Sequence, residues 1–200
     1  MIRLLIAEDQ TLLRDALSAL LDLESDIEIV GVAANGREAH DQVRRLAPDV
    51  VLTDIEMPDM TGLELAALLK REQRRSRVLI VTTFARPGYL RRALEAGVAG
   101  YLLKDAPSTD LADAVRRIAA DERVIAPELA EQAWSEDDPL TDSERRLLRY
   151  AEAGLDSGAM SEATGLARGT VRNYLHAANS KLGAANRVEA ARIARRKGWL

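Results

Sequence analysis

The sequence predicts an α/β chain: a five-stranded parallel sheet covered by helices on both faces over residues 1–120, an acidic linker over 121–139, and an all-α module of four helices over 140–200. Three observations predict it. Strand-like and helix-like apolar periods alternate five times before residue 120, periodicity then fades while acids accumulate, and the remaining residues carry helical periods alone. A chain of 200 residues accommodates two domains, each able to bury a core.

Strands are expected at 2–7, 27–32, 49–53, 77–82 and 100–103, because each is a short apolar run closed by turn or polar residues. Between them, Leu12, Leu13, Ala16, Leu17, Leu20 and Leu21, and then Ala39, Val43 and Leu46, recur at the three- and four-residue spacing of helices with one buried face. Asn35 is placed to cap the second helix, Pro87 to open the fourth, and Ser108 to cap a fifth that ends near Ala120. The alternation gives a doubly wound, flavodoxin-like sheet, a fold that carries its chemistry at the carboxyl ends of its strands.

Those ends hold a distinctive set of side chains. The run Val50-Val51-Leu52-Thr53 ends on Asp54, Leu4-Leu5-Ile6-Ala7 on Glu8-Asp9, Val78-Leu79-Ile80-Val81 on Thr82, and Gly100-Tyr101-Leu102-Leu103 on Lys104. Singly, each reads as an ordinary strand-end residue or turn former. Together they put three carboxylates, a hydroxyl and an amine along one edge of the sheet. Carboxylate oxygens are the donors that Mg²⁺ takes, an Asp carboxylate can accept a phosphoryl group, and an amine and a hydroxyl can meet the phosphoryl oxygens.

With Met57-Pro58-x-x-x-Gly62 and Leu103-Lys104-Asp105-Ala106-Pro107, this constellation resembles the receiver domain of bacterial two-component response regulators, over the whole of residues 1–120. The resemblance implies that Asp54 is the phosphoacceptor, that Glu8 and Asp9 hold the metal with it, that Thr82 and Tyr101 are the switch residues, and that Lys104 senses the phosphate. It also implies a sensor histidine kinase as partner. Phe84 and Glu56, two residues beyond Thr82 and Asp54, are expected to slow hydrolysis of the aspartyl phosphate. A haloacid-dehalogenase phosphatase would carry a second Asp where Glu56 stands, and a flavin site would need a phosphate-cradling loop where Glu8-Asp9 would repel the phosphate.

Net charge is −4, unevenly spread: residues 121–139 hold 1 basic and 7 acidic groups, residues 140–200 hold 11 and 6. A basic module on an acidic chain suits a polyanion. The linker is expected to hold at most a short helical turn around Glu128–Ala133. Within the basic module, Thr141-x-x-Glu144 is a capping box opening a helix that runs to Gly154, a weakly patterned segment follows over 157–164, a helix spans about Gly169 to Leu182, and the last runs from Arg187 to Lys197. Two helices across a short Gly-containing turn suggest a helix-turn-helix.

On the third of these helices Val171, Tyr174, Leu175, Ala178 and Leu182 share one face, while Arg172, Asn173, His176, Asn179 and Ser180 share the other. That outward face is either a solvated polar surface or a set of donors that read base edges. Leu140-Thr141-x-x-Glu144, Gly169-Thr170-Val171-Arg172-Asn173-Tyr174, Lys181-Leu182-Gly183 and Asn186-Arg187-x-Glu189-Ala190 resemble the effector domain of the NarL/FixJ (LuxR-type) regulators, and the stretch Thr82–Tyr89 is most like its DesR branch. This implies binding of double-stranded DNA, with Arg172, Asn173 and His176 on bases and Lys181 and Arg187 on phosphates. Gly158, Met160, Ser161, Thr164 and Ala167 depart from the family in the scaffold helix and its turn, which predicts a weakly coded helix there.

With no Cys, the chain lacks disulfides and thiolate metal sites, and with two His a zinc site is not expected. There is no signal-peptide architecture and no long apolar stretch, so a cytoplasmic protein without membrane insertion is expected. His40 and Trp199 are expected on the surface and against the last domain, respectively. The whole describes a transcription regulator rather than an enzyme, phosphorylated on Asp54 to promote homodimerisation and operator binding. The alternatives are the same architecture controlled without phosphorylation, or an aspartyl-phosphate phosphatase.

Overall fold

The computed structural model describes residues 1–83, 87–125 and 138–200, which fall into two compact units, one built on a sheet and one all helical. The first part of the chain runs β1 (Ile2–Ala7), α1 (Thr11–Leu21), β2 (Ile27–Ala33), α2 (Gly36–Leu46), β3 (Val50–Thr53), α3 (Gly62–Arg71), β4 (Arg77–Thr82), α4 (Pro87–Glu95), β5 (Gly100–Leu103), α5 (Ser108–Ala119) and β6 (Val124–Ile125). All strand pairs are parallel, in the order β2-β1-β3-β4-β5-β6. The switch point at β1 and β3 opens a crevice at their carboxyl ends.

The sheet has six strands rather than the five expected. The sixth is the pair Val124-Ile125, in register with Gly100 and Tyr101 and joined through Val124 N–H donating to Ala99 O at 2.9 Å. Two residues are too few to show a period of two, so only the free edge of β5 reveals this strand. It lies within the segment whose composition reads as linker. The helical turn expected at Glu128–Ala133 falls outside the described residues, as does Phe84.

Alternation along the strands divides the core. Leu4, Ile6, Val50, Leu52, Leu79 and Val81 pack with Leu21 of α1 and with Leu111, Val115 and Ile118 of α5. Leu5, Val51 and Ile80 take the opposite face, the side of α2 and α3. Asn35 caps α2 by accepting from Glu38 N–H, as expected, and Thr61 caps α3 in a full capping box. Ser108 is the first residue of α5 rather than its cap; Pro107 holds the cap position and makes no side-chain bond.

The second unit comprises α6 (Asp142–Glu152), α7 (Ser157–Thr164), α8 (Arg168–Leu182) and α9 (Arg187–Lys197). Leu147, Leu148, Met160, Val171, Leu175, Ala178, Ala190, Ala194 and Trp199 form its core. The weakly coded α7 has supports that the pattern hides. Asp156 Oδ1 accepts from Gly158 N–H and Ala159 N–H, both at 2.8 Å, so Gly158 sits in a capped first turn, where its cost is smaller than in a helix interior. The Ser161 hydroxyl donates to Leu166 O at 2.5 Å and ties down the turn that follows, while the Thr164 hydroxyl donates back to Met160 O, one turn earlier in the same helix, at 2.6 Å. Ala167, at the start of α8, makes no cap bond, as its side chain requires.

Candidate functional site: an acidic edge and an exposed helix face

Backbone register assembles the first site. Ala7 pairs with Thr53 and Thr82 with Leu103, so the residues that follow each strand emerge side by side. Asp54 N–H donates to Ala7 O at 3.1 Å, and Lys104 N–H to Thr82 O at 2.8 Å. Glu8 and Asp54 are 1% and 6% exposed, while Asp9 is open to solvent. Lys104 Nζ lies 2.9 Å from Glu8 Oε2 and 2.8 Å from Asp54 Oδ2, bridging the two buried acids.

The remaining oxygens are oriented locally. Asp54 Oδ1 accepts from Ile55 N–H at 2.6 Å, and Glu8 Oε1 from Gln10 N–H at 3.2 Å. Burial pushes the Glu8 carboxyl above the ordinary glutamate range, against the pull of Lys104. Burial works against the Lys104 ammonium as well, but Asp54 and Glu8 outweigh it and raise its pKa, so it stays charged. One oxygen from each of Glu8, Asp9 and Asp54 falls within 4.8 Å of the others. Three carboxylates within that span fit a hard divalent cation with several open positions for water or phosphate.

Thr82 closes β4 fully buried, and Tyr101 is 1% exposed on β5, so both switch candidates face inward in this conformation. His40, expected at the surface, is instead mostly enclosed, with Nε2 3.0 Å from Glu72 Oε1. Glu56 is half-buried.

On α8, Arg172, Asn173 and His176 are exposed together, while Val171, Leu175 and Ala178 are buried, as the helical period predicts. Asn179 is only half-exposed, and its Oδ1 is buried without a hydrogen-bond partner among the described residues. Arg187, the first residue of α9, is half-buried, following Asn186, which caps that helix through Val188 and Glu189 N–H. Lys181 is engaged within its own unit. Its Nζ lies 2.8 Å from Oε2 of Glu144, a carboxylate only 3% exposed.

Residues 4–116 match the family described as the response regulator receiver domain, and residues 138–194 match bacterial regulatory proteins of the luxR family. The chain belongs to the LuxR-family response regulators. It is 47% identical over 199 residues to the transcriptional regulatory protein DesR of Bacillus subtilis, with 100% of this chain and 99% of that protein covered. Identity to the uncharacterized transcriptional regulatory protein YvfU of the same organism is 48% over 200 residues, the full length of both. Among solved structures, the response regulator ChrA of a heme-sensing two-component system aligns with a TM-score of 0.58 at 33% identity, covering 100% of this chain and 98% of that one.

The regulator is thus a DNA-binding transcription regulator of the two-component type, in which a receiver implies a histidine kinase and the luxR-family domain binds DNA. Its relatives are transcriptional regulators rather than enzymes. Among the described residues no helix is long and apolar enough to cross a membrane. One supporting residue escaped the sequence reading. Arg14, one turn into α1, donates from Nη1 to Glu8 O at 2.8 Å and so steadies the acidic corner; its only sequence signal is a cation five residues after Asp9. Gly62, part of the motif that carries the resemblance, is required because a Cβ there would lie 2.0 Å from Asp54 O.

Proposed function

We propose that the regulator takes a phosphoryl group from a sensor histidine kinase onto Asp54 and that this controls its pairing on DNA. The observation that carries the reading is Lys104 spanning Glu8 and Asp54 beside an all-oxygen donor set at the sheet's carboxyl edge. Glu8, Asp9 and Asp54 would hold Mg²⁺, which supplies neutralisation of the charge that builds on the phosphoryl oxygens. An Asp54 carboxylate oxygen attacks phosphorus, the new O–P bond forms as the bond to the donor breaks, and Lys104 then has a phosphoryl oxygen to pair with in place of the carboxylate.

Thr82 supplies a hydroxyl for a second phosphoryl oxygen, and its movement frees space that Tyr101 follows. A receiver in that state pairs with a second copy, and two linked effector domains then meet one operator at raised effective concentration. Arg172, Asn173 and His176 read base edges, and Arg187 meets a phosphate. The kinase-facing and DNA-facing halves of this cycle place the regulator in the cytoplasm.

The test combines chemistry with binding. With Mg²⁺ and acetyl phosphate, intact mass should rise by one phosphoryl group in the wild type and not in Asp54→Ala, and only the former should gain affinity for a duplex selected from random sequence by the wild-type protein. Equal labelling of both proteins refutes the acceptor assignment. Labelling without any change in affinity or stoichiometry would favour control without phosphorylation.

A further inference from the structure

Lys181 is the cation that the sequence assigns to a DNA phosphate, and the structure gives it another task. On a helix that advances about 100° per residue, position 181 lies about 180° around from position 172. Arg172 points outward, whereas the Lys181 side chain, though still 35% exposed, bends toward the body of its own unit and its Nζ reaches the N-terminus of α6. There Glu144 Oε2 accepts two hydrogen bonds, from Thr141 N–H at 2.7 Å and from Lys181 Nζ at 2.8 Å, while Thr141 Oγ1 accepts from Glu144 N–H at 3.3 Å. One carboxylate therefore closes the capping box of α6 and anchors the last turn of α8.

We infer that Lys181 is a positioning residue for DNA reading: through the buried Glu144 it sets the rotation of α8 on α6 and so aims Arg172, Asn173 and His176, and it contributes no charge to the phosphates. Charge balance is the reason. The Lys181 ammonium is neutralised by a carboxylate that is almost fully enclosed, so the pair presents no net charge to a phosphate, and moving the ammonium away would strand Glu144 in the interior. A free surface lysine has no such tie. The inference rests on α8 being the helix that reads DNA.

The two roles predict different salt dependence. A phosphate contact contributes about 0.9 to the slope of log affinity against log salt, and it acts on any sequence, whereas a positioning residue acts only where base edges are read. The experiment uses the full-length phosphorylated regulator, the selected duplex described above and a random duplex of the same length, titrated across salt. Lys181→Met should bind the selected duplex about tenfold more weakly, the scale of one lost base contact. Its salt slope and its affinity for the random duplex should match the wild type. Lys181→Arg, which keeps the cation, should recover most of the loss.

Because Lys181→Met leaves a buried carboxylate unpaired, Glu144→Gln combined with Lys181→Met provides a version without the stranded charge. It should fold and show the same loss of selectivity as Lys181→Met alone, with the Thr141 amide resonance shifted in both. A slope that flattens by about one unit in Lys181→Met, together with weaker binding to the random duplex, overturns the inference in favour of a phosphate contact. Unchanged affinity of Lys181→Met for the selected duplex overturns it outright. Arg172→Ala, run alongside, tests the premise: if it binds the selected duplex normally, α8 does not read bases and the inference falls with that reading.

Discussion

Lys104 and Asp54, fifty residues apart in sequence, meet through a 2.8 Å contact between Nζ and Oδ2, and the same ammonium also holds Glu8. The amine thus stands where it neutralises two of the three acids that would take a cation. Removing it leaves those acids uncompensated, and a divalent ion then gains the full attraction of both. Lys104→Met should bind Mg²⁺ more tightly by at least about tenfold, a modest fraction of the Coulomb energy of unit charges at this range. Calorimetric titration measures it, and weaker binding in the variant would contradict the arrangement.

Gly62 keeps the loop between β3 and α3 pressed against Asp54, with Gly62 N–H donating to Ile55 O at 3.0 Å. Gly62→Ala would force a Cβ to 2.0 Å from Asp54 O, a backbone clash that no side-chain rotation relieves. The variant should lose about 1–3 kcal/mol of receiver stability, as overpacked sites do. It should also take up phosphoryl groups more slowly, because the displaced backbone carries the Asp54 side chain with it. Urea melts and the time course of intact mass report the two effects; wild-type behaviour in both would show that the loop has room to spare.

Glu144 responds to acid in a defined direction. Burial opposes its ionisation, but the Lys181 ammonium and Thr141 together hold it below its ordinary value of 4.5. A carboxyl whose pKa is lowered by folding contributes stability that is fully present above about pH 4.5 and is lost as pH falls through the folded-state value. Glu144→Gln retains a capping side chain but has no proton to bind, so the stability of its effector unit should vary less with pH below that point. Denaturant midpoints for the effector unit across the acid range should show the two proteins converging; parallel curves would mean that Glu144 does not titrate with folding.

Asn179 presents the reverse case, a polar atom with nothing to bond. Its Oδ1 is buried without a partner among the described residues, on a helix whose neighbouring Ala178 and Leu175 are core residues. An unpaired buried amide costs about 1–3 kcal/mol. Asn179→Leu should raise the stability of the effector unit by about 1 kcal/mol, the part of that cost that remains after the larger side chain is fitted. A thermal melt that moves downward would mean that the amide is solvated rather than orphaned.

The sequence by itself determined the elements and their order. Asp54 and Lys104 were legible as strand-end residues because an apolar run reports its own burial, and Thr141 and Asn35 were legible as helix boundaries because capping is a local transaction between a side chain and the nearest free backbone groups. Asp156 carries an equally local signal, an acid immediately before the first turn of α7, where it accepts from Gly158 and Ala159 N–H. The tertiary structure alone decided the partners. It joined Lys104 to both Glu8 and Asp54, enclosed His40 against Glu72, added β6 to the free edge of β5, and turned Lys181 onto Glu144. Periodicity describes how one element meets a generic core, whereas these pairings depend on strand register and helix rotation between segments that no local pattern relates.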